Sequence, residues 1–367
     1  MDNLVFSNML HRPARTVVSV LGIAVGVLLI VFTIGLANGS MRERAGRDAN
    51  VGAEIFFQAS GTFGISGSAS FRLPVSMARE IEAVEGVETV VLLAQASVSA
   101  DDSNIGSRLI DGVNFDEYAS VAGLKIIEGR KFMENSDEAI IDTAWQKQKQ
   151  IKVGDNLKLY ERDFKIVGTY EPAAGARVKI ALISMQTQLG GEGKVTAFLV
   201  KTKDGFTPEQ VAERLHTQFP DNQIILTKDL EELYLSSIPA LGIFLNVVIG
   251  VAAAISALVI LLTMYTTVTE RTRQIGIMKS LGMSKTGIAW IITQEALLLS
   301  FLGIVAGIVL TIILRFLLTR ITMLDVELDP LVLTLVFVVG LIGGALGALY
   351  PALRAARLDA VEALSYE

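Results

Sequence analysis

The sequence predicts a polytopic α-helical membrane protein with four transmembrane helices and a large extracytoplasmic α+β domain inserted between the first and second helices. Of its 367 residues, 51 % are hydrophobic and only 19 % are charged, which is too apolar for an ordinary soluble domain. Four long apolar segments are each able to cross a bilayer. The polar stretch between the first two segments holds 29 of the 38 acidic and 22 of the 32 basic residues. The charges are therefore concentrated in one inserted domain.

The first apolar segment, Val17–Ala37, contains no charged residue and predicts the first membrane-spanning helix. Gly22 and Gly26 are four residues apart, a spacing that lets a second helix approach closely. A cleaved signal peptide is the alternative, because small residues recur at Gly35–Gly39. Signal peptides have a shorter apolar core, so the spanning helix is favoured.

The polar stretch Met41–Leu235 predicts an α+β domain with at least two lobes. Two helices are expected, Ser76–Val84 with Ser76 as its N-cap, and Pro208–Gln218. Strands are expected where β-branched and aromatic residues run between turn residues. These strands are Ala53–Gln58, Val87–Ser99, Leu109–Val113, Glu138–Ile141, Leu157–Tyr160, Phe164–Thr169, Lys179–Ile183 and Thr196–Lys201. The Gly- and Ser-rich residues Ala59–Ser70 predict a flexible loop.

Three further apolar segments, Ala240–Thr267, Ile288–Leu318 and Leu331–Tyr350, predict the remaining spans. The segment Ile288–Leu318 is longer than a bilayer core requires, so it must tilt or project beyond the membrane. Close helix packing is predicted where glycines are four residues apart. Such pairs occur at Gly303 and Gly307, and at Gly340 and Gly344.

The loop between the second and third spans, Thr269–Thr286, carries the pattern on which the functional interpretation depends. Ile275, Ile277, Met278 and Leu281 recur at helical spacing and predict a short helix with one apolar and one basic face. The charged residues of the loop are Glu270, Arg271, Arg273, Lys279 and Lys285. Gly282 is expected to end this helix, and Ser284 to cap the next one. Such a loop could also lie on anionic headgroups and do no more than set topology.

The loop sequence ERTRQIGIMKSLGMSK, which begins at Glu270, resembles the cytoplasmic loop after the second transmembrane helix in MacB-type (FtsX-like) ABC transporter permeases. The family pattern is roughly T-E-R-x-R-E-I-G-I-x-x-A-x-G-A, from which the chain departs at Gln274, Ser280 and Met283. The tail Tyr350–Glu367 also resembles the family's C-terminal signature, with Ala360 and Ser365 as departures. In the inserted domain the resemblance covers shorter phrases, which begin at Glu128, Ile151 and Phe164.

The resemblance implies that residues 270–282 form a coupling helix, which docks on a separate cytoplasmic ATPase subunit. The residues assigned to this role are Glu270, Arg271, Arg273, Ile275, Gly276, Ile277, Met278, Lys279, Leu281 and Gly282. ATP and Mg would bind to that partner, and no cofactor is expected in this chain. The resemblance also implies mechanotransmission, in which ATP-driven movement of the coupling helix changes the shape of an external domain that handles cargo. Further expected partners are a second permease copy (identical or different), membrane lipids and a periplasmic adaptor protein.

Three other functions stay open from the sequence. The chain could be a lipoprotein-releasing subunit similar to LolC, an FtsX-like regulator of a cell-wall hydrolase that transports nothing, or a membrane-anchored binding domain without an ATPase. The basic amphipathic loop argues against the binding domain. The C-terminal signature and the large inserted domain argue against the regulator.

Lys and Arg residues near the ends of the spans predict that both termini and the coupling loop are cytoplasmic. On that side lie Arg12, Arg15, Arg271, Arg273, Lys279, Lys285, Arg354 and Arg357. Arg42, Arg44 and Arg47 follow the first span and dilute this bias. The expected location is the inner (cell) membrane of a bacterium or archaeon. The expected domains are 1–40 (N-terminus and first helix), 41–235 (external core domain), 236–351 (permease domain) and 352–367 (cytoplasmic tail).

The sequence predicts no catalytic or metal-binding residues. Gly191–Lys194 resembles a phosphate-binding loop only superficially, since Gln188 and Val195 stand where a P-loop requires Gly and Ser or Thr. Cysteine is absent, and no basic stripe is present to bind nucleic acid. Glu295, an intramembrane charge, lies about two turns into the third span, where a carboxylate is costly without a partner. We interpret it as bonding a neighbouring helix, in preference to contacting cargo.

Overall fold

A computed structural model describes residues 13–61, 71–99, 107–236, 239–322 and 324–358 of the chain. The chain divides into two compact units. The membrane unit contains the residues up to Gly39 and those from Pro239 onwards, and the sheet unit contains Ser40–Ile238. Arg12, most of the predicted loop Ala59–Ser70 and the tail beyond Leu358 lie outside the described residues.

The described residues form helices and strands along the whole of both units. In order they are α1 (Pro13–Ala49), β1 (Ile55–Ala59), β2 (Leu73–Pro74), α2 (Met77–Glu82), β3 (Val87–Ser99), β4 (Ser107–Val113), α3 (Phe115–Ala122), β5 (Lys125–Gly129), β6 (Glu138–Asp142), α4 (Thr143–Lys149), β7 (Asn156–Leu159), β8 (Arg162–Glu171), β9 (Val178–Ala181), α5 (Leu182–Leu189), β10 (Lys194–Val195), β11 (Ala197–Thr202), α6 (Pro208–Gln218), β12 (Asn222–Leu226), α7 (Leu230–Ser236), α8 (Pro239–Glu270), α9 (Thr272–Ser280), α10 (Lys285–Ile321) and α11 (Pro330–Arg357).

Four helices in the described part of the chain, α1, α8, α10 and α11, are long and apolar enough to cross a membrane. Each contains one of the four predicted segments, so the prediction of a four-helix membrane protein is confirmed. Helix α1 continues beyond the apolar segment to Ala49, because the residues that follow include good helix formers such as Arg, Glu and Ala. An ion pair one turn apart, Arg44 Nε to Asp48 Oδ2 at 2.9 Å, supports this polar extension.

The six glycines predicted to pack helices lie at helix–helix contacts within the membrane unit. A Cβ atom added to Gly26 would lie 2.6 Å from the Ser256 hydroxyl, and one added to Gly307 would lie 2.7 Å from the Ala24 carbonyl oxygen. Both distances are too short for a side chain, so glycine is what lets these helices approach. The other four face Val259 (Gly22), Ile23 (Gly303), Ile304 (Gly340) and Ser300 (Gly344).

Within the described residues the sheet unit is built on a ten-stranded mixed sheet, in the order β12-β1-β11-β3-β4-β9-β6-β8-β5, with β7 paired to β8. The pairs β4–β9 and β6–β8 are parallel, and the remaining pairs of this sheet are antiparallel. Successive residues of one strand enter different apolar cores, as Phe56 and Phe57 do in β1. The core containing Phe56 packs against α3, and the core containing Phe57 packs against α6. This mixed sheet with helices on its faces confirms the predicted α+β class.

The structure also corrects several local predictions. Ser76 occupies the N-cap position before α2 as predicted, but it has helical dihedral angles and its side chain makes no capping hydrogen bond. The strand predicted at Lys179–Ile183 ends at Ala181, and Leu182 begins α5, because a short apolar run does not distinguish a strand from the first turn of a helix. By contrast, β3 and α6 match their predicted bounds, and α6 adds a Thr207–Gln210 capping box. The sequence pattern did not predict β5, β12, α3, α4 or α7.

Candidate functional site

The predicted coupling segment forms a separate short helix, α9, after a bend at Arg271. The backbone of Arg271 leaves the helical region, at φ −108° and ψ 15°. The helix ends before Gly282, whose φ of +90° lies in the left-handed region that glycine adopts without strain. Ser284 caps the next helix as expected, since its hydroxyl accepts a hydrogen bond from the Gly287 N–H at 3.1 Å.

The four apolar side chains of this segment do not share one face, which corrects the sequence-based expectation. Ile275 is only 4 % exposed and belongs to the apolar core of the membrane unit, against which Met278 also packs. Ile277 is 43 % exposed and Leu281 is 82 % exposed. One apolar pair therefore anchors α9 to its own chain, and the other pair remains available to a partner.

The bend between α8 and α9 is held by ion pairs to two other helices of the membrane unit. Arg15 of α1 donates from Nη1 to Glu270 Oε2 at 2.8 Å. The next residue, Arg271, directs Nη1 toward Glu295 Oε2 of α10 at 3.5 Å. Glu295 is 4 % exposed, so Arg271 supplies the partner that a buried carboxylate requires. The structure thus pairs Glu295 with a neighbouring element, the role preferred for it from the sequence.

The far end of α9 is bonded to the end of α11. Lys279 Nζ donates to the carbonyl oxygen of Ala356 at 3.3 Å and to that of Leu358. Cations at a helix C-terminus satisfy carbonyl groups that lack partners within the helix. Arg271 and Lys279, which the resemblance assigns to the ATPase-coupling segment, are therefore occupied within the membrane unit. Arg273 is the coupling-segment cation whose side chain stays exposed in α9.

The outward face of α9 combines apolar and polar side chains at helical spacing. Arg273, Ile277 and Leu281 follow one another at intervals of four, and Gln274 and Ser280 flank them; all five are exposed. Gly276 is buried on the opposite side with Ile275. An apolar pair surrounded by polar groups is the arrangement expected of a small docking surface. We call these five residues the outward face.

Sequence reasoning missed two partners of this segment: Arg15 of α1, which pairs with Glu270 at the bend, and the C-terminal carbonyls of α11, which accept from Lys279 at the far end of α9. These contacts join residues 255 and 77 positions apart, as for Arg15–Glu270 and Lys279–Ala356. The one available signal was the presence of unpaired charges at the ends of apolar segments, which indicates a partner without naming it. Within the described ranges, no group of three or more His, Asp or Glu side chains is placed to hold a metal ion.

Comparison with known proteins places both units in known families. Residues 16–218 match the MacB-like periplasmic core domain, and residues 246–360 match the FtsX-like permease C-terminal domain. The first match covers more than half of the chain.

Two relatives and one solved structure illustrate the likeness. The chain is 27 % identical over 401 residues to an ABC transporter permease of Methanocaldococcus jannaschii, covering 99 % of this chain and 96 % of that protein. It is 25 % identical over 386 residues to the macrolide export ATP-binding/permease protein MacB of Acinetobacter baylyi, covering 97 % of this chain but 58 % of that longer protein. The periplasmic region of MacB from Actinobacillus actinomycetemcomitans aligns at 16 % identity and a TM-score of 0.38, over 49 % of this chain and 91 % of that one.

The shared region shows which part of an ABC transporter this chain represents. In the ATP-binding/permease relatives, the chain aligns with the permease portion only. A permease subunit of this kind is not itself the ATPase. From these domain matches, the chain belongs to the family of MacB-like ABC transporter permeases, with an FtsX-like C-terminal domain.

Proposed function

We propose that the chain is the permease subunit of an ABC exporter that works by mechanotransmission. A separate ATPase subunit would dock on the outward face of α9, and its ATP-driven movement would be passed through the spans to the sheet unit. The observation that carries this proposal is the placement of α9. It exposes Ile277 and Leu281 to a partner while ion pairs and hydrogen bonds tie it and its bend to α1, α10 and α11.

The connections within the membrane unit support movement of the helices as a group. Besides the contacts of the bend, Ser19 Oγ of α1 lies 2.8 Å from Thr263 Oγ1 of α8. Arg354 of α11 donates to the Tyr265 hydroxyl of α8 at 2.6 Å. A displacement of α9 would therefore act on all four spanning helices. Helix α8 leads directly into α9, and α1, α10 and α11 are each bonded to α9, to its bend or to α8.

The assembly that we propose contains two permease chains and two ATPase subunits in the cell (inner) membrane of a bacterium or archaeon. ATP and Mg would bind to the ATPase subunits. A periplasmic adaptor protein is a further candidate partner of the sheet unit. The cation distribution supports cytoplasmic termini, a cytoplasmic α9 and an extracytoplasmic sheet unit.

Single cysteines are expected to report this topology, since the sequence contains none of its own. Asp204 in the sheet unit and Lys285 after α9 are both exposed. In intact cells, Asp204→Cys should react with a membrane-impermeant maleimide, and Lys285→Cys should react only after the membrane is permeabilised. Labelling of Lys285→Cys in intact cells would show that α9 faces outwards and would remove it from the reach of a cytoplasmic ATPase.

ATP is expected to change the conformation of the sheet unit in the complete complex. The chain, co-purified with its ATPase and placed in lipid nanodiscs, would be compared without nucleotide and after trapping with ATP and vanadate. We expect hydrogen exchange to differ between these states in the sheet unit, because the ATPase contacts only the membrane unit in our proposal. Identical exchange of the sheet unit in both states, with active ATPase bound, would contradict mechanotransmission.

A further inference from the structure

The connection between β8 and β9, residues 172–177, is hydrogen-bonded on two sides within the sheet unit. Its odd-numbered residues contact the C-terminal end of α1 and the residue that follows it. The Gly175 carbonyl oxygen accepts from Arg47 Nε at 2.8 Å, and the Gly175 N–H donates to the Arg47 carbonyl oxygen at 2.8 Å. Asn50 Nδ2 donates to the Ala173 carbonyl oxygen at 2.9 Å. Arg177 Nη2 donates to Glu43 Oε1 at 2.7 Å, so three successive odd positions hold this helix end.

The even-numbered residues of the same connection contact the sheet. Lys179 Nζ of β9 donates to the Ala174 carbonyl oxygen at 2.8 Å, and the Ala176 N–H donates to Asp111 Oδ2 of β4 at 2.7 Å. The Tyr170 hydroxyl donates to the Ala176 carbonyl oxygen at 2.7 Å. Residues 172–177 therefore form a hydrogen-bonded layer between the end of α1 and the sheet, and we call this layer the seat.

The centre of the seat has no room for a side chain at Gly175. Gly175 has a φ of +57°, and a Cβ atom there would lie 2.7 Å from the Tyr118 hydroxyl. Ala174 and Ala176 are buried beside it. Glycine is favoured at this position because the left-handed conformation strains other residues and the close approach leaves no room for a Cβ atom.

The seat rests on a completely buried ion pair. Lys179 Nζ and Asp111 Oδ2 are 2.9 Å apart, both side chains are 0 % exposed, and Lys179 Nζ also lies 4.5 Å from the centre of the Tyr118 ring. Burial by itself would raise the pKa of Asp111, but the charge of Lys179 and hydrogen bonds from Gln95 and Lys179 outweigh it and lower that pKa. Burial lowers the pKa of Lys179, and the charge of Asp111 opposes this shift.

A buried ion pair of this kind contributes little to stability relative to well-packed apolar side chains, because desolvation offsets the attraction. What this pair does contribute is the position of the connection between β8 and β9. Lys179 and Asp111 together bind a carbonyl oxygen and an N–H of the connection, which apolar side chains cannot do. Lys179 and Asp111 therefore fix the position of residues 174–176. Because Gly175 is hydrogen-bonded to Arg47, they also fix the position of Arg47.

From this geometry we propose that the seat is the force-bearing joint that holds the end of α1 to the sheet of the sheet unit, and that Lys179 and Asp111 are its positioning residues. The inference rests on the proposed function, because a joint matters only if α1 transmits movement. It goes further by naming a contact through which movement of α1 would reach the sheet, alongside the direct ion pair from Arg47 Nη1 to Asp142 Oδ2 of β6 at 2.9 Å. Lys179 and Asp111 act through the backbone of residues 174–176, and neither is expected to contact cargo or ATPase.

The test replaces the ion pair by apolar side chains in the complete complex. In Lys179→Met with Asp111→Leu, we expect the difference in hydrogen exchange of β5–β8 between nucleotide-free and vanadate-trapped complexes to fall by about tenfold, a typical allosteric coupling. ATPase binding and hydrolysis should persist. The matched control is Arg130→Met with Glu138→Leu, which removes an ion pair between exposed Arg130 and partly buried Glu138. This pair lies at the opposite end of β6 from Asp142, and its removal should change nothing.

A cross-link between the end of α1 and the seat is expected to restore the nucleotide-dependent exchange. Such a rescue would distinguish a role in transmitting movement from a merely structural one. Asn50→Cys and Ala173→Cys, joined by a short bifunctional thiol reagent, should restore the nucleotide-dependent exchange to Lys179→Met with Asp111→Leu. If that double variant does not fold, Asn50→Ala with Arg177→Ala removes the helix-side contacts of Ala173 and Arg177 from more accessible positions. It leaves the hydrogen bonds between Gly175 and Arg47, so it should give a partial loss. Full nucleotide-dependent exchange in folded seat variants, or failure of the cross-link to restore it, would overturn the proposal. Absence of any nucleotide effect in the unmodified complex would instead overturn the proposed function, and the seat with it.

Discussion

Replacing Ile277 with aspartate is expected to remove most of the chain's affinity for its ATPase subunit. Ile277 is an exposed apolar side chain at the centre of the outward face, next to Leu281 on the same side of α9. Buried apolar anchors commonly carry about 2 kcal/mol or more of binding energy, so roughly a 30-fold loss of affinity is expected. Since Ile277 is exposed in this chain, the membrane unit should fold and insert as before.

The measurement is co-purification of the ATPase with tagged chain, together with ATP hydrolysis in nanodiscs. Gln274→Asp is the matched control, because it adds the same charge to the same exposed face without removing an apolar anchor. Ile275→Asp is not equivalent, since Ile275 is buried in the membrane unit and its replacement should destabilise that unit. Normal co-purification and normal coupled hydrolysis with Ile277→Asp would mean that α9 does not dock an ATPase through this face.

Reversing the charge of Arg271 is expected to uncouple the ATPase from the sheet unit without releasing it. Arg271→Glu would place a second carboxylate beside the buried Glu295 and would remove the cation that pairs with it. Breaking a buried pair in this way costs about 3 kcal/mol, enough to displace α9 relative to α10. The outward face is untouched, so the ATPase should still bind.

The double variant Arg271→Glu with Glu295→Arg restores opposite charges and should recover much of the coupling. Lys285→Glu is the matched control, because it makes the same charge reversal at an exposed position outside the outward face. The readout is the nucleotide-dependent hydrogen exchange of the sheet unit, with ATPase binding measured in parallel. If Arg271→Glu couples normally, or if the charge swap recovers nothing, the Arg271–Glu295 contact does not transmit movement.

Much of the architecture is readable from local patterns. The four spans follow from uninterrupted apolar length, and the bounds of β3 and α6 follow from β-branched content and from a Pro at the first turn. Elements of five to eight residues such as β5, α3 and α4 were not predicted, because so short a segment carries too few periods to separate a strand from a helix. The polar extension of α1 to Ala49 was missed for another reason, since the apolar pattern ended at Ala37.

The sequence by itself determined the class of the molecule, its four spans and the segment Glu270–Gly282, because length, hydropathy and motif spacing are properties of neighbouring residues. Tertiary structure alone decided which side chains of that segment remain outward, since Ile275 lies in the apolar core of the membrane unit and Ile277 is exposed. It also decided that Lys179 meets Asp111 across 68 positions and that Arg15 meets Glu270 across 255. Such contacts are set by how elements pack against one another, and no periodicity along the chain encodes them.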